Sequence, residues 1–233
     1  MKINCDIGER GIDNLTDLAL MKLIDIANIA CGGHAGDQQS VDFFRDLAQR
    51  NNVLITAHLS YPDKKNFGRL SMAISKEHLL SSLDAQYSLL RDVKAVKFHG
   101  ALYNDLNNNA QLANWIFEWL QINKIQLLLC PQNSILASLC QGQIKVMPEL
   151  FAERAYIYEN NQFALMPRGQ HGAVLHQLGN ALDHCQNLLN GLVFTTGDDG
   201  EKVCREIFGE TICIHSDAVI ALELAKELRG LID

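Results

Sequence analysis

Short apolar runs alternate with longer amphipathic stretches along almost the whole chain. Runs such as 95–98 are typical of buried strands, whereas apolar residues at three- and four-residue steps, as in 218–231, are typical of helices. The pattern predicts strands at 2–5, 28–30, 53–57, 95–98, 126–130, 145–147, 192–195 and 211–214. It predicts helices at 40–50, 76–92, 111–123, 134–139, 175–189, 201–208 and 218–231.

This alternation of strands and helices indicates a parallel sheet with crossover helices. Seven or eight such units would close a TIM-type (β/α) barrel. At 233 residues the chain is slightly short for eight units, which favours an incomplete or distorted barrel. An open doubly wound sheet is the alternative.

One segment departs from this rhythm. Two short apolar runs flank Asn160 and Asn161, and Asn tolerates positive φ, so we expect a β-hairpin inserted at about 150–170. In a barrel enzyme such an insertion often covers the site. No repeat or linker divides the chain, so we expect a single barrel domain over residues 1–233.

The composition narrows the class of protein. With 48% hydrophobic and 20% charged residues, the chain can form a full core. A net charge of −7 argues against a nucleic-acid binder. No apolar run approaches the ~18 residues of a membrane span, and no secretory signal opens the chain. Seven cysteines without a CxxC pair argue against a disulfide framework and predict a cytoplasmic protein.

Polar side chains collect where the predicted strands end. The C-terminal ends of parallel strands are where α/β proteins build their sites. Four histidines come from four different units and can converge only if the sheet curls. The residues at or just beyond strand ends are Asp6, Glu9, His34, Asp37, His58, His99, Tyr103, Glu149, His215 and Asp217.

Two chemistries suit such a cluster. Imidazole and carboxylate groups can hold a divalent metal ion that activates water, with Asp6, His34 and His58 as candidate ligands. The same groups without a metal can hydrolyse an amide by general acid–base catalysis. The spacing does not decide between them.

The chain also carries basic residues that could lie in the site, and it lacks the common nucleotide-binding motifs. Lys97 shares a strand face with His99, so inside a barrel it would be a buried cation that needs a carboxylate partner. Arg69, Arg154 and Arg168 could bind an anionic group. The chain contains no phosphate-loop or dinucleotide-binding motif.

Seven sequence blocks together resemble the LamB/YcsF family. They occur in the family's order from residue 2 to about residue 217. The blocks are 4–9 (NCDIGE), 28–37 (NIACGGHAGD), 57–63 with 67–69 (AHLSYPD and FGR), 96–104 (VKFHGALYN), 149–156 (ELFAERAY), 166–168 (MPR) and 213–217 (CIHSD).

The resemblance implies a distorted, seven-stranded TIM-type barrel like those of the glycoside hydrolase/deacetylase superfamily. It implies ATP-dependent cleavage of 5-oxo-L-proline to L-glutamate by a 5-oxoprolinase, in which this chain would work with separate B and C subunits. ATP is thus implied by the resemblance alone. Carried over by position, the catalytic residues would be Asp6, His58, His99, His215 and Asp217. The substrate-binding residues would be Glu9, His34, Asp37, Arg69, Lys97, Tyr103, Arg154 and Arg168.

The chain also departs from the family pattern. The family usually has Phe where Gly33 stands, and Pro where Leu59 and Phe98 stand. It usually has Gly where Ser216 stands. These changes leave another small lactam or amide open as the substrate. The rival interpretations are a metal-dependent carbohydrate deacetylase-like amidase and a non-catalytic binding subunit.

Overall fold

The structure, a computed structural model, describes residues 1–159, 162–196 and 202–232. Its strands are β1 (Lys2–Ile7), β2 (Ile26–Ala30), β3 (Leu54–Leu59), β4 (Ala95–Phe98), β5 (Leu127–Cys130), β6 (Lys145–Phe151), β7 (Tyr156–Glu159), β8 (Gln162–Leu165), β9 (Leu192–Thr196), β10 (Lys202–Glu206) and β11 (Thr211–His215). Its α-helices are α1 (Leu15–Leu20), α2 (Gln38–Arg50), α3 (Lys76–Tyr87), α4 (Gly100–Asn108), α5 (Ala110–Ile122), α6 (Ile135–Cys140), α7 (Leu178–Leu189) and α8 (Ala221–Ile232), and a 3₁₀ turn covers Ser88–Leu90.

Seven parallel strands close into a barrel in the order β1-β11-β6-β5-β4-β3-β2. The predicted seven-stranded TIM-type barrel is therefore confirmed. In β1, Asp6 pairs in register with Asn28 of β2 on one side and with His215 of β11 on the other. This register brings polar residues from distant parts of the chain to one level of the barrel.

The helices pack on the outside through apolar faces. In α2, Val41, Phe44 and Ala48 are fully buried at three- and four-residue steps. Leu224 and Leu228 of α8 repeat this spacing. Among the described residues, no helix combines the length and the apolar character needed to cross a membrane.

The inside of the barrel is polar toward the C-terminal ends of its strands. Asn4 donates to Thr211 at 3.0 Å, and Asn28 donates to Asn4 at 2.8 Å. Thr56 in turn donates to Asn28 at 2.7 Å. All four residues have no exposed surface, so this network satisfies polar groups that burial would otherwise leave unpaired. A small apolar cluster of Ile26, Leu129 and Met147 lies apart from the main core.

A second, four-stranded sheet has the order β10-β9-β7-β8. β7 and β8 pair antiparallel, as do β9 and β10, whereas β7 and β9 pair parallel. The predicted turn residues Asn160 and Asn161 lie outside the described residues. So do residues 197–201.

The second sheet corrects two predictions. Segment 192–195 is a strand, but β9 belongs to this sheet and not to the barrel. The helix predicted at 201–208 is wrong, because 202–206 forms β10, whose residues alternate between exposed and half-buried. Lys202 and Glu206 are four residues apart, a spacing that also fits one face of a helix. In the structure, however, the half-buried Val203 and Arg205 alternate with exposed residues, as in a strand. Glu149 also lies inside β6, not at its end.

Candidate active site

Three histidines surround the carboxylate of Glu9. Oε1 of Glu9 lies 2.8 Å from Nε2 of His34 and 3.3 Å from Nδ1 of His99. The same oxygen lies 3.7 Å from Nε2 of His58. Nε2 of His58 is 3.0 Å from Nδ1 of His99, and the rings of His34 and His99 stack with centroids 3.7 Å apart. All three histidines are buried, so the surrounding residues hold the cluster in place at the C-terminal end of the barrel.

Backbone carbonyls fix the proton positions on two of these rings. Nδ1 of His58 lies 3.3 Å from the carbonyl oxygen of Lys97, and Nε2 of His99 lies 3.1 Å from that of Phe67. A carbonyl oxygen can only accept, so each of these nitrogens carries the proton. Nδ1 of His99 then presents its lone pair to Nε2 of His58, which also lies 3.3 Å from Oδ2 of Asp6.

A cation is needed where these acceptor atoms meet, either a proton on Nε2 of His58 or a metal ion. Burial lowers the pKa of His34, and burial with the neighbouring His34 and His58 lowers the pKa of His99 well below its usual value. A proton on His34 or His99 is thus disfavoured, and a metal ion is a cation that fits beside these two rings. Zn–N bonds of ~2.0–2.1 Å separate tetrahedral ligand atoms by about 3.3 Å. The ligand atoms of Glu9, His34, His58 and His99 all lie within 4.8 Å of one another.

A second group of potential ligands, Asp6, Cys213 and His215, fits a metal ion poorly. Nζ of Lys97 lies 2.8 Å from Oδ1 of Asp6 and 3.1 Å from Sγ of Cys213. Burial raises the pKa of the Cys213 thiol well above its usual value, which keeps it protonated. A second cation here would meet the Lys97 ammonium group. The structure therefore groups His34 and His99 with Glu9 and places His58 between Glu9 and Asp6. Oδ2 of Asp6 lies 3.3 Å from Nε2 of His58, whereas Oδ1 of Asp6 pairs with the lysine.

Lys97 is the buried cation that the strand pattern predicted, and it has two carboxylate partners. Besides Asp6, Oε1 of Glu149 lies 2.9 Å from its Nζ. Although burial opposes the charge, Asp6 and Glu149 keep the pKa of Lys97 well above its usual value. Although burial also opposes ionisation of Asp6, His58 and Lys97 lower its pKa well below its usual value. The group is an ionised network inside the barrel.

His215 at the end of β11 pairs with a carboxylate that sequence reasoning missed. Its Nδ1 makes a very short contact with Glu153, whose side chain is buried. The His215 ring also stacks on Phe151 with centroids 5.6 Å apart. Glu153 thus orients the imidazole and leaves Nε2 on the cavity side. Glu153 lies inside the block 149–156, next to the apolar Ala152, and this position was the one sequence feature that could have pointed to it.

A cavity of about 400 Å³ opens next to this cluster. The barrel contributes Asp6, His58, Lys97, His99 and His215 to its wall. The β7–β8 hairpin and the segment after it cover the cavity with Ile157 and 164–168. This volume lies within the range of ~300–1,000 Å³ that holds a small-molecule ligand.

Three arginines line this cavity and give it an excess of positive charge. Within the described part of the chain, Arg154 donates to two carbonyl oxygens, those of Ala173 at 3.2 Å and Met166 at 2.7 Å. Burial and the neighbouring Arg168 lower the pKa of Arg154 to about 10, which leaves it charged at neutral pH. Arg69 also contributes positive charge. An anionic group in the cavity would relieve this repulsion.

Two predicted site residues lie elsewhere. Asp37 is exposed and caps α2, where its side chain accepts from the backbone N–H of Ser40. Asp217 is at the rim, where it pairs with Arg69 at 2.9 Å and with Arg168 at 3.8 Å. Neither carboxylate lines the described part of the cavity. Tyr103, by contrast, lines it, and burial and Glu149 raise the pKa of its hydroxyl well above its usual value.

The loop that carries Glu9 is held by a buried acid. Asp17, at the start of α1, accepts from the backbone N–H of Gly8 at 3.0 Å and from the guanidinium of Arg10 at 3.3 Å. Arg10 also donates to the carbonyl oxygen of Ser216, at the end of the barrel where β1 meets β11. Both chain neighbours of Glu9 are thereby fixed, although sequence analysis did not single out Asp17.

Glycines let two loops approach the histidines closely. Gly68 has a φ of +64°, and a Cβ there would lie 3.0 Å from Cβ of His34. At Gly33, where the resemblance places Phe, a Cβ would lie 2.3 Å from Oε1 of Gln86. Gln86 fills this space by accepting from the N–H of Ser60 and donating to its carbonyl, both at 2.9 Å. The departure at Gly33 is therefore accommodated by a hydrogen-bonded side chain.

Comparisons with known proteins agree on one group of relatives. The profile of the LamB/YcsF family matches residues 1–233. The A subunit of 5-oxoprolinase from Pyrococcus abyssi is 32% identical over 251 residues, covering 99% of this chain and 93% of the relative. The third 5-oxoprolinase A subunit of Pseudomonas syringae pv. tomato is 33% identical over 244 residues, with the same coverage of 99% and 93%.

Solved structures support the same grouping. A lactam utilization protein from Thermus thermophilus superposes with a TM-score of 0.81 at 27% identity, covering 99% of this chain and 94% of that one. A truncated 3-deoxy-D-arabino-heptulosonate 7-phosphate synthase from Thermotoga maritima reaches a TM-score of 0.52 at 10% identity, covering 100% of this chain and 85% of that one. The second likeness shows the barrel fold alone.

Proposed function

The chain belongs to the LamB/YcsF family, and on that premise we propose that it is the ring-opening subunit of a 5-oxoprolinase. It would act on 5-oxo-L-proline together with B and C subunits and ATP, and yield L-glutamate. The observation that carries this proposal is the Glu9–histidine cluster beside an arginine-lined cavity. The relatives named as A subunits of 5-oxoprolinase support the substrate and the multi-subunit arrangement.

The cluster fits a divalent metal ion through Glu9, His34, His58 and His99. A bound metal ion there would supply Lewis-acid activation of water or of the lactam carbonyl. The chain's own residues prepare the place, because the carbonyls of Lys97 and Phe67 orient His58 and His99. This arrangement favours a supporting role for His99 over proton transfer, since both of its ring nitrogens are engaged.

The cavity is suited to a small lactam that carries a carboxylate. Arg154 and Arg168 offer charged donors to that carboxylate, and Arg69 adds positive charge at the rim. When the ring opens, the departing nitrogen needs a proton. His215 is placed to deliver it from Nε2, because Glu153 holds Nδ1. The three arginines favour an anionic substrate over a neutral N-acetyl sugar.

We assign the ATP-dependent step to the partner subunits. A lactam is an unactivated amide, and phosphorylation of its carbonyl oxygen would activate the carbonyl carbon toward water. After water adds, the C–N bond would break with a proton delivered to the nitrogen, and hydrolysis of the resulting acyl phosphate would release phosphate and L-glutamate. The chain carries no phosphate-loop motif. This subunit would therefore receive the activated lactam and open the ring.

The test is turnover of 5-oxoproline by the purified chain, with and without the B and C subunits and ATP. We expect activity only in the full mixture. There, His215→Gln should reduce the rate ~10²–10⁴-fold. His176→Gln, which changes an exposed histidine outside the cavity, is the matched control and should leave the rate within twofold.

Three results would contradict the proposal. Turnover by the chain alone with ATP would overturn the division of labour. Hydrolysis of an N-acetyl sugar without ATP would favour a deacetylase. Unchanged turnover after His215→Gln and after Glu9→Gln would indicate a non-catalytic binding subunit.

A further inference from the structure

A second cavity of about 390 Å³ adjoins the first. The two cavities share wall residues, among them Tyr103, Asn107, Phe151 and Leu165. The second cavity extends away from the histidine cluster, past β6 and under the second sheet. Each cavity alone reaches the ~300–1,000 Å³ that holds a drug-sized ligand. Together they exceed what a single five-membered ring fills.

One side of the second cavity is apolar. β8, β9 and the segment after β10 contribute Phe163, Leu192, Ile207 and Phe208 to it, whereas the polar residues Gln132, Asn133, Ser134, Asn190 and Glu206 line other parts of the cavity. None of these side chains belongs to the metal cluster or to the arginine group. A hydrocarbon group would bury apolar surface here without displacing an ion pair.

The near part, where the two cavities meet, has a buried polar atom without a partner among the described residues. This atom is Oδ1 of Asn107, a residue that is 7% exposed. Glu149, which also lines the second cavity, is 3% exposed and pairs with Lys97 through Oε1, and Tyr103 interacts with Glu149. Buried polar groups are rarely left unsatisfied, so Asn107 indicates a ligand.

The unpaired atom also defines the chemistry of that ligand. Oδ1 of Asn107 is a carbonyl oxygen and can only accept a hydrogen bond. The ligand must therefore present an N–H group at the junction of the cavities. Its apolar part would continue into the second cavity, and its carbonyl would remain near the histidine cluster.

From this arrangement we propose that the second cavity is a subsite for a hydrocarbon substituent on the ring carbon next to the N–H of a lactam. The substituent would take the bond that carries hydrogen in 5-oxoproline, whose carboxylate on the same carbon would face the arginines of the first cavity. The chain would thus accept substituted lactams larger than 5-oxoproline. This inference rests on the proposed lactam-opening function. The departures from the family pattern at Gly33, Leu59 and Phe98 do not line this subsite, so it is a separate feature.

The test compares 2-pyrrolidinone with 5-butyl-2-pyrrolidinone, which differ by a four-carbon chain next to the N–H. Binding to the full chain is measured by calorimetry, or by competition with 5-oxoproline. Each buried methylene contributes roughly fourfold in affinity. We therefore expect the butyl compound to bind at least tenfold more tightly.

The matched variant is Leu192→Trp, which fills the second cavity only. It should remove the advantage of the butyl compound and leave 2-pyrrolidinone binding within twofold. Ile207→Phe repeats the test if the first variant does not fold. Ile122→Trp, at a position 75% exposed on α5, is the control and should change neither affinity.

The outcomes separate this inference from the proposed function. Equal binding of the two lactams, or no effect of Leu192→Trp, would overturn the subsite even if 5-oxoproline is turned over. Loss of activation by the partner subunits in Leu192→Trp, with unchanged binding of both lactams, would assign the cavity to a partner segment and also overturn it. Butyl-dependent binding without turnover of any lactam would support the subsite and contradict the proposed function.

Discussion

Replacing Lys97 by methionine should strongly destabilise the barrel. Lys97 is 2% exposed and its ammonium group contacts Asp6, Glu149, Asn4 and Cys213 within 3.2 Å. Methionine keeps much of the volume and removes the charge. Two buried carboxylates would then face each other across the place that the cation held.

The size of the effect follows from the partners that remain. Asp6 would keep Asn28 at 2.8 Å and His58 at 3.3 Å. Glu149 would keep no ion-pair partner among the described residues, so it must stay charged without a cation or take up a proton. Protonating a carboxylate of ordinary pKa ~4.3 at pH 7 costs about 3.7 kcal/mol, at 1.36 kcal/mol per unit. Breaking a buried ion pair by removing one partner costs ~3–5 kcal/mol in general.

We therefore expect the free energy of unfolding of Lys97→Met to fall by about 3–4 kcal/mol at pH 7, measured by urea denaturation. The double variant Lys97→Met/Glu149→Gln should recover most of that loss, because it removes the uncompensated charge. If Lys97→Met unfolds within 1 kcal/mol of the parent, or if Glu149→Gln brings no recovery, the reasoning from the buried network is wrong.

Three further predictions concern the histidine cluster. Asp17→Asn weakens the hold on the loop that carries Glu9, so zinc affinity measured by chelator competition should fall ~10–100-fold; unchanged affinity would contradict this positioning role. Gly68→Ala places a Cβ at a φ of +64° against His34 and should lower the free energy of unfolding by about 1–3 kcal/mol, a loss that urea denaturation would detect. Since burial lowers the pKa of both His34 and His99 in the fold, the unfolded chain takes up protons first as the pH falls below ~6.5. As the pH falls, chelator-treated protein should therefore lose up to ~1.4 kcal/mol of its free energy of unfolding per pH unit for each of these histidines. A free energy of unfolding that stays constant between pH 7 and pH 5 would refute this prediction.

The barrel could be predicted because its signal is local and repeated. Each strand is an apolar run and each helix has an apolar face, so β4 was placed at its observed bounds from its sequence alone. The second sheet could not be separated in this way. Whether β9 joins the barrel or pairs with β10 depends on partners that the pattern of one strand does not encode. The charged segment 202–206 fits a helical period and a strand period about equally well. It forms a strand because it pairs with β9.

The location of the site could be predicted from the sequence, but the contacts between its side chains could not. Strand-end positions predicted that His34, His58, His99 and His215 lie near one another, because parallel strands share one C-terminal edge. In the structure, three of them contact Glu9, and His215 lines the same cavity as His58 and His99. The strand-end positions did not reveal that Glu9, two residues beyond β1, would reach all three histidines. Nor did they reveal that Asp6 would lie between Lys97 and His58. The position of Glu9 follows from Asp17, which fixes the residues on both sides of Glu9. Asp6 points into the barrel because its strand alternation places it there with Asn4, where the only ammonium group among the described contacts is that of Lys97. A carboxylate held by a buried lysine is a poor metal ligand. The side-chain alternation of β1 therefore directs Asp6 to Lys97, and the loop after β1 directs Glu9 to the histidines. Variants that exchange these roles, such as Asp6→Asn and Glu9→Gln, should accordingly separate barrel stability from metal affinity.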